Sequence, residues 1–108
     1  MSEINTEKIY DNLVELSEGK AIIFTYPNYD TALVGVGEVR DKTGQTKYHA
    51  IYDYQLMVQW VIEHFKICRV DAIEYIDYNT LGTSAENYPI ILYRSWYDIW
   101  KSIWKTTS

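Results

Sequence analysis

The sequence predicts an α+β fold in which three to four helices pack on a small, largely antiparallel sheet of about four strands. Three observations lead to this prediction. With 108 residues, the chain is long enough for a single domain, 1–108, with a modest core. The hydrophobic pattern changes period along the chain in the order α-β-β-β-α-α-β-α. Only 5 Gly and 2 Pro occur, so no stretch is typical of a linker.

The N-terminal half predicts one helix followed by three strands. Residues 5–17 carry an apolar stripe that stops before Gly19, which indicates a helix and its end. The apolar stretch AIIFTY at 21–26 indicates a buried strand. Alternation in TALVGVGEV at 31–39 indicates a second strand, and the polar loop RDKTGQT joins it to a returning strand at 47–54.

The C-terminal half predicts two helices, a strand and a last helix. The segment DYQLMVQWVIEHF is apolar on most sides, which is typical of a central helix, and Asp53 is placed to cap its N-terminus. RVDAIEYIDYN indicates a second helix, and IILY at 90–93 a final strand. Residues 95–108 then predict a C-terminal aromatic helix. The predicted inward side chains of the second helix are Ala72, Ile73 and Ile76.

Composition excludes several classes of function. The formal net charge of −5 argues against direct binding to nucleic acid, because phosphate contacts need a basic face. The single cysteine, Cys68, cannot form an internal disulfide, as is typical of a reducing cytosol. The polar start MSEINTEK is not a signal peptide, and no apolar run is long enough for a membrane span.

One stretch carries a resemblance to a known family. AIYDY…M…VIEHFKICRVDAIEYIDYNTLG…ENYPIIL, within residues 32–92, resembles a family of small uncharacterised proteins of phages and other prokaryotic viruses. The sequence departs from the family pattern in two places. Cys68 stands where the family usually has a capping Ser or Thr, and Arg69 stands where it has an apolar or aromatic residue. The chain also continues past PIIL. The resemblance supports the fold and implies a viral setting, hence the host cytoplasm. It implies no activity.

Enzymatic chemistry is not predicted. Cys68 is the only thiol, and His49 and His64 are the only histidines. A cysteine nucleophile also needs an orienting group and an oxyanion site, for which no local signature exists. Since Cys68 stands at a helix start, we interpret it as a substituted capping residue. The pattern VGVGEV lies inside a strand and lacks a third glycine, so no dinucleotide cofactor is expected.

The second predicted helix carries acidic and tyrosine side chains together. Asp71, Glu74 and Asp77 share part of one helix face, and Tyr75 and Tyr78 flank them. Without histidine or a glycine-bearing loop, this face does not predict a metal site. One interpretation is a solvated acidic face with rings that complete the core. The other is a patch that binds a basic partner surface.

The C-terminal segment raises a similar choice. Trp96, Trp100 and Trp104 recur every four residues, with Ile99 and Ile103 between them, so they form one helical stripe. Such a stripe must be covered. It either packs on the chain's own sheet or forms a homodimer or partner contact. The second choice is favoured because the resembling proteins mostly end before it.

The preferred hypothesis is a virus-encoded, non-enzymatic protein-binding module that acts on a host protein in the host cytoplasm. Small acidic viral proteins often block defence nucleases, so the hypothesis includes an anti-CRISPR-like inhibitor that occludes a nucleic-acid cleft. The alternative is a small-molecule or nucleotide binder that sequesters a defence signal. Its candidate ligand-binding side chains are Arg40, Lys42, Lys47 and Arg69.

Overall fold

The computed structural model describes residues 6–80 and 87–94, and it confirms the α+β class. In this part of the chain, three α-helices accompany a three-stranded sheet. The elements are α1 (Thr6–Ser17), a 3-10 turn (Asp30–Ala32), β1 (Leu33–Arg40), β2 (Thr46–Asp53), α2 (Tyr54–Phe65), α3 (Arg69–Asn79) and β3 (Ile90–Leu92).

The sheet is mixed and has the strand order β1-β2-β3. β1 and β2 form an antiparallel hairpin in which Val36 lies opposite Ala50. β3 runs parallel to β2, with Ile51 beside Ile90. Parallel strands need a long connection, and the chain between β2 and β3 includes α2 and α3. The described residues thus contain fewer strands than the four expected, and only one of the two strand pairs is antiparallel.

The prediction of a strand at 21–26 is wrong. Backbone groups in this segment do not pair in a sheet: the Phe24 N–H donates to the Tyr52 hydroxyl oxygen at 3.2 Å, and the Ala21 N–H to the Ser17 hydroxyl oxygen at 3.3 Å. The Ile22 N–H donates to the Asn87 carbonyl at 3.1 Å. The segment's apolar side chains still pack against the core. An apolar run indicates that a segment is buried but not that it is a strand, because an irregular segment that covers a core has the same composition.

The core lies between the helices and one face of the sheet. Ala72, Ile73 and Ile76 of α3 are buried, which confirms their predicted inward position. α2 is the central helix, as expected, with five buried side chains: Tyr54, Met57, Val58, Trp60 and Val61. Other members of this core are Leu13 of α1, Ala50 and Tyr52 of β2, and Tyr29, Ala32 and Leu33 before and at the start of β1.

Asp53 joins three parts of the fold. Its Oδ1 accepts a hydrogen bond from the Leu56 N–H at 3.0 Å, which confirms the predicted cap of α2. Its other carboxylate oxygen lies 2.7 Å from Nε of Arg94, which follows β3. The Arg94 guanidinium also donates to Gln55 Oε1 at 3.2 Å. The end of β2, the start of α2 and the chain after β3 are therefore fixed together.

The predicted aromatic helix at 95–108, with Trp96, Trp100 and Trp104, lies outside the described residues. The surface that covers its tryptophan stripe stays a prediction. Within residues 6–80 and 87–94, no helix combines the length and apolar character needed to cross a membrane.

Candidate functional site

α3 presents two faces with different chemistry. Its inner face is buried in the core, so the residues between the inward positions lie outside. Cys68 occupies the N-cap position with extended backbone angles (φ −78°, ψ 169°), and its side chain makes no capping hydrogen bond. The helix ends at Asn79, and Thr80 follows it as a buried residue bonded to the Tyr29 hydroxyl at 2.8 Å.

The outer face of α3 forms one side of a groove of about 490 Å³, which we call the α3 groove. All five candidate residues of α3 line it, so the structure brings them together around one space. The lining residues are Ile67, Asp71, Glu74, Tyr75, Asp77, Tyr78 and Asn79. Among the residues that the structure describes, no lysine or arginine lines this groove. Its three carboxyl groups therefore make it negative.

Asp77 is the unusual member of this set. Its Oδ2 is buried and has no hydrogen-bond partner within the described part of the chain. Desolvation raises the pKa of this carboxyl above its ordinary value. Asp77 also lies in the last turn of α3, where the negative end of the helix dipole disfavours a carboxylate. A buried acceptor without a donor costs free energy, and a positive charge bound nearby would offset the cost of the ionised carboxylate.

Three tyrosines border the acidic face. Tyr78 is 88% exposed and projects from α3. Tyr75 is half-buried, and its ring packs on Phe65 with centroids 5.1 Å apart. Burial raises the pKa of Tyr75, and the neighbouring Tyr26 hydroxyl adds to that rise. Tyr26 is itself 82% exposed, so it extends the aromatic surface beside the groove.

Sequence reasoning missed Tyr26 and Ile67 as neighbours of this site. Tyr26 belongs to the segment before Pro27, which was expected to be a buried strand. Only the course of that segment over the core brings its last tyrosine near α3. Ile67 lies in the short connection between α2 and α3, where an apolar residue is expected to be core. No local signal in the sequence distinguishes either position.

The residues considered for nucleophilic chemistry have other surroundings. Cys68 is exposed. His49 Nδ1 lies 3.0 Å from the Tyr88 carbonyl, and His64 Nδ1 lies 2.9 Å from the Trp60 carbonyl. His64 is also stacked on the Trp60 ring at 3.9 Å. Each histidine is thus oriented by the backbone, and neither of these two hydrogen bonds involves the thiol.

The four basic candidates for a nucleotide site do not come together. Arg40 Nη2 lies 4.0 Å from Glu38 on the same strand. Lys42 lies in the hairpin turn, and Arg69 begins α3. Lys47 lines a separate polar cavity that Arg40, Lys42 and Arg69 do not line. Over residues 6–80 and 87–94, no three His, Cys, Asp or Glu side chains are grouped so that they could hold a metal ion.

Comparison of the chain with protein-family models, with curated proteins and with solved structures finds no match. The interpretation of the α3 groove therefore rests on its own geometry and charge.

Proposed function

We propose that the protein is a virus-encoded, non-enzymatic binding module that acts in the host cytoplasm, and that its α3 groove binds a basic segment of a host protein. One observation supports this most strongly. Among the described residues, a buried carboxylate oxygen of Asp77 lacks a donor, and the groove that Asp77 lines also holds the carboxylates of Asp71 and Glu74. A cationic side chain bound in the groove would stabilise these charges.

The groove suits arginine better than lysine. A guanidinium donates several hydrogen bonds in a planar fork, so it can bridge Asp77 and a neighbouring carboxylate. Its flat face also stacks on aromatic rings, and Tyr75 and Tyr78 both line the groove. Lysine offers a compact charge without the planar face. An arginine-rich surface of the partner is therefore the expected ligand.

A nucleic-acid-binding cleft is such a surface. Proteins that grip phosphates concentrate lysine and arginine in one place. With a net charge of −5, this chain is attracted to such a cleft and would occupy it in place of nucleic acid. Inhibition of a host defence nuclease, as by anti-CRISPR proteins, is the specific form of the proposal, and it draws on size, charge and the viral resemblance.

The tryptophan stripe of Trp96, Trp100 and Trp104 belongs to the same proposal as a second contact. It would form either a homodimer interface or a further part of the partner-binding surface. Three tryptophans offer large apolar area at low entropic cost. This contact would add affinity to the charge-based recognition at the α3 groove.

The test compares two variants with the same change in charge. Both shift the formal net charge from −5 to −2. The groove variant carries Asp71→Asn, Glu74→Gln and Asp77→Asn. The α1 variant carries Glu7→Gln, Asp11→Asn and Glu15→Gln, all at exposed positions of α1. Each immobilised protein is incubated with host lysate, and the retained proteins are quantified by mass spectrometry.

We expect the wild type and the α1 variant to retain the same nucleic-acid-binding protein, and the groove variant to retain at least tenfold less of it. Added duplex DNA should release the partner, because both compete for one cleft. Equal retention by all three proteins would contradict a role for the groove. Retention that DNA does not reduce would contradict the occlusion mechanism and leave binding at the groove intact.

A further inference from the structure

A second cavity lies at the C-terminal end of α1, where the helix meets the start of β2. Its volume is about 320 Å³, and it shares no lining residue with the α3 groove. This volume falls at the lower end of the range of about 300–1,000 Å³ that is typical of small-molecule sites. Most of its lining is polar. The side chains important here are Ser17, Lys20, Gln45, Thr46, Tyr48 and Asn87.

The walls of this cavity are held by hydrogen bonds. The Gly19 N–H donates to the Val14 carbonyl at 3.0 Å and closes the end of α1. On the hairpin side, Asp41 Oδ1 accepts from the Thr43 and Gln45 N–H groups at 2.9 and 3.0 Å. The Asn87 carbonyl accepts from the Ile22 N–H. The cavity is thus formed before a ligand arrives, which lowers the entropic cost of binding.

The charges around the cavity argue against an anionic ligand. Lys20 and Lys47 contribute two positive groups, and Glu18 contributes a negative one. The hydrogen bond from Thr43 is the main cause that lowers the pKa of the Asp41 carboxyl, and the nearby Lys47 ammonium lowers it further. α1 ends at this point, so the negative end of its dipole faces the same region, where the Val14, Glu15 and Ser17 carbonyls already accept backbone N–H groups. Among the four charged groups, Glu18 offsets Lys20 and Asp41 offsets Lys47, so they leave no net positive charge to hold a phosphate.

The neutral donors and acceptors indicate the ligand class. Amides such as those of Gln45 and Asn87 donate and accept at once, and this matches neighbouring hydroxyl groups on a ligand. The Ser17 oxygen accepts from the Ala21 N–H, so its own O–H can donate. The bonded carbonyls at the end of α1 keep a second lone pair, which can accept a further hydrogen bond. The Tyr48 ring adds one apolar surface in the lining.

We infer that this cavity binds a small, uncharged, polyhydroxylated molecule of the monosaccharide class. Hydroxyl groups would donate to the α1 carbonyls and accept from Lys20 and the two amides. The carbon face of the ligand would lie on Tyr48. This site is independent of the α3 groove, and it would remain even if the α3 groove binds nothing.

The test is a titration of the full-length, ¹⁵N-labelled protein, followed by backbone amide NMR. Glucose and N-acetylglucosamine are the neutral probes, and glucose 6-phosphate and inorganic phosphate are the anionic ones. The cavity variant carries Gln45→Ala and Asn87→Gly, because Asn87 has φ +68°, a conformation that glycine adopts freely. The control is Gln59→Ala, which removes an exposed glutamine amide from α2.

We expect a neutral sugar to shift the amides of residues 17–20, 45–48 and 87 at millimolar concentration. The cavity variant should bind at least tenfold more weakly, and the control should bind like the wild type. Inorganic phosphate binding more tightly than either sugar would overturn the inference in favour of an anion site. An absence of shifts up to tens of millimolar sugar, or shifts that the cavity variant retains, would also overturn it.

Discussion

Replacing Asp77 by Asn should make the protein more stable and its partner binding weaker. The substitution preserves shape and removes one negative charge. That charge is unfavourable in the free protein for two reasons that act in the same direction. Its Oδ2 is buried without a hydrogen-bond partner among the described residues, and its position in the last turn of α3 faces the negative end of the helix dipole.

The magnitude follows from the removal of a charge, because asparagine still places a polar amide atom at the buried position. A carboxylate near a helix C-terminus costs about 0.3–1 kcal/mol, and the partial burial of Asp77 adds to that cost. Neutralisation should therefore raise the free energy of unfolding by about 1 kcal/mol at pH 7. For a domain of this size, that corresponds to a rise in Tm of about 4 °C.

The pH dependence checks the cause. Burial raises the pKa of Asp77 in the folded state above its ordinary value of 3.8, so the folded protein holds this proton to a higher pH than the unfolded chain. The resulting destabilisation is complete above the folded pKa and disappears as the pH falls to 3.8. The Tm difference between Asp77→Asn and the wild type should shrink over that interval.

The assay is thermal unfolding at pH 7 and near pH 4, beside fluorescence anisotropy with a labelled arginine-rich peptide. Asp71→Asn is the matched control, since Asp71 is exposed in the first turn of α3, where a carboxylate is favourable. It should lower the Tm slightly. If Asp77→Asn lowered the Tm at pH 7, this would refute the conclusion that the Asp77 charge destabilises the free protein. Unchanged peptide affinity would refute its role in binding.

Three further changes test the fold and the tail. Cys68→Ser should stabilise α3 by about 0.5–1 kcal/mol in urea unfolding, because a serine hydroxyl at the N-cap can accept a hydrogen bond from a backbone N–H, which the cysteine side chain does not do. A loss of function with the fold intact would instead support a catalytic role for the thiol. Asp53→Ala should cost about 2 kcal/mol in the same assay, and Asp53→Asn, which keeps the cap and loses the Arg94 ion pair, should cost less than half of that. Deleting residues 95–108 should leave a folded domain with weaker self-association or partner binding by light scattering, whereas an insoluble product would make the tryptophans core residues.

The local features of the fold could be predicted from the sequence. α1, α2 and α3 follow apolar periodicity, and the cap at Asp53 follows from a single residue type at a helix start. The β1–β2 hairpin follows from alternation on both sides of a polar loop. Each of these depends on neighbours within a few positions, so the chain displays them directly.

Features that depend on distant contacts could not be predicted. The segment 21–26 has the composition of a strand, yet two of its N–H groups bond to Tyr52 and Asn87, which are distant in sequence, and a third bonds to the nearby Ser17. The direction of β3 depends on the long connection through α2 and α3, and the local pattern of IILY does not contain it. For the same reason, the sequence identified five α3 residues of the candidate site and missed Tyr26 and Ile67. The polar cavity at α1 also joins three separate segments.

We propose that the α3 groove recognises a basic partner by its own arrangement of charge and aromatic rings. The most direct measurement is the affinity of an arginine-rich peptide for the wild type, the groove variant and the α1 variant at low and moderate salt. We predict that the α1 variant binds within a few-fold of the wild type, and that the groove variant binds at least tenfold more weakly with a flatter salt dependence. Equal weakening in both variants would show that net charge alone attracts the peptide, and this would contradict the claim.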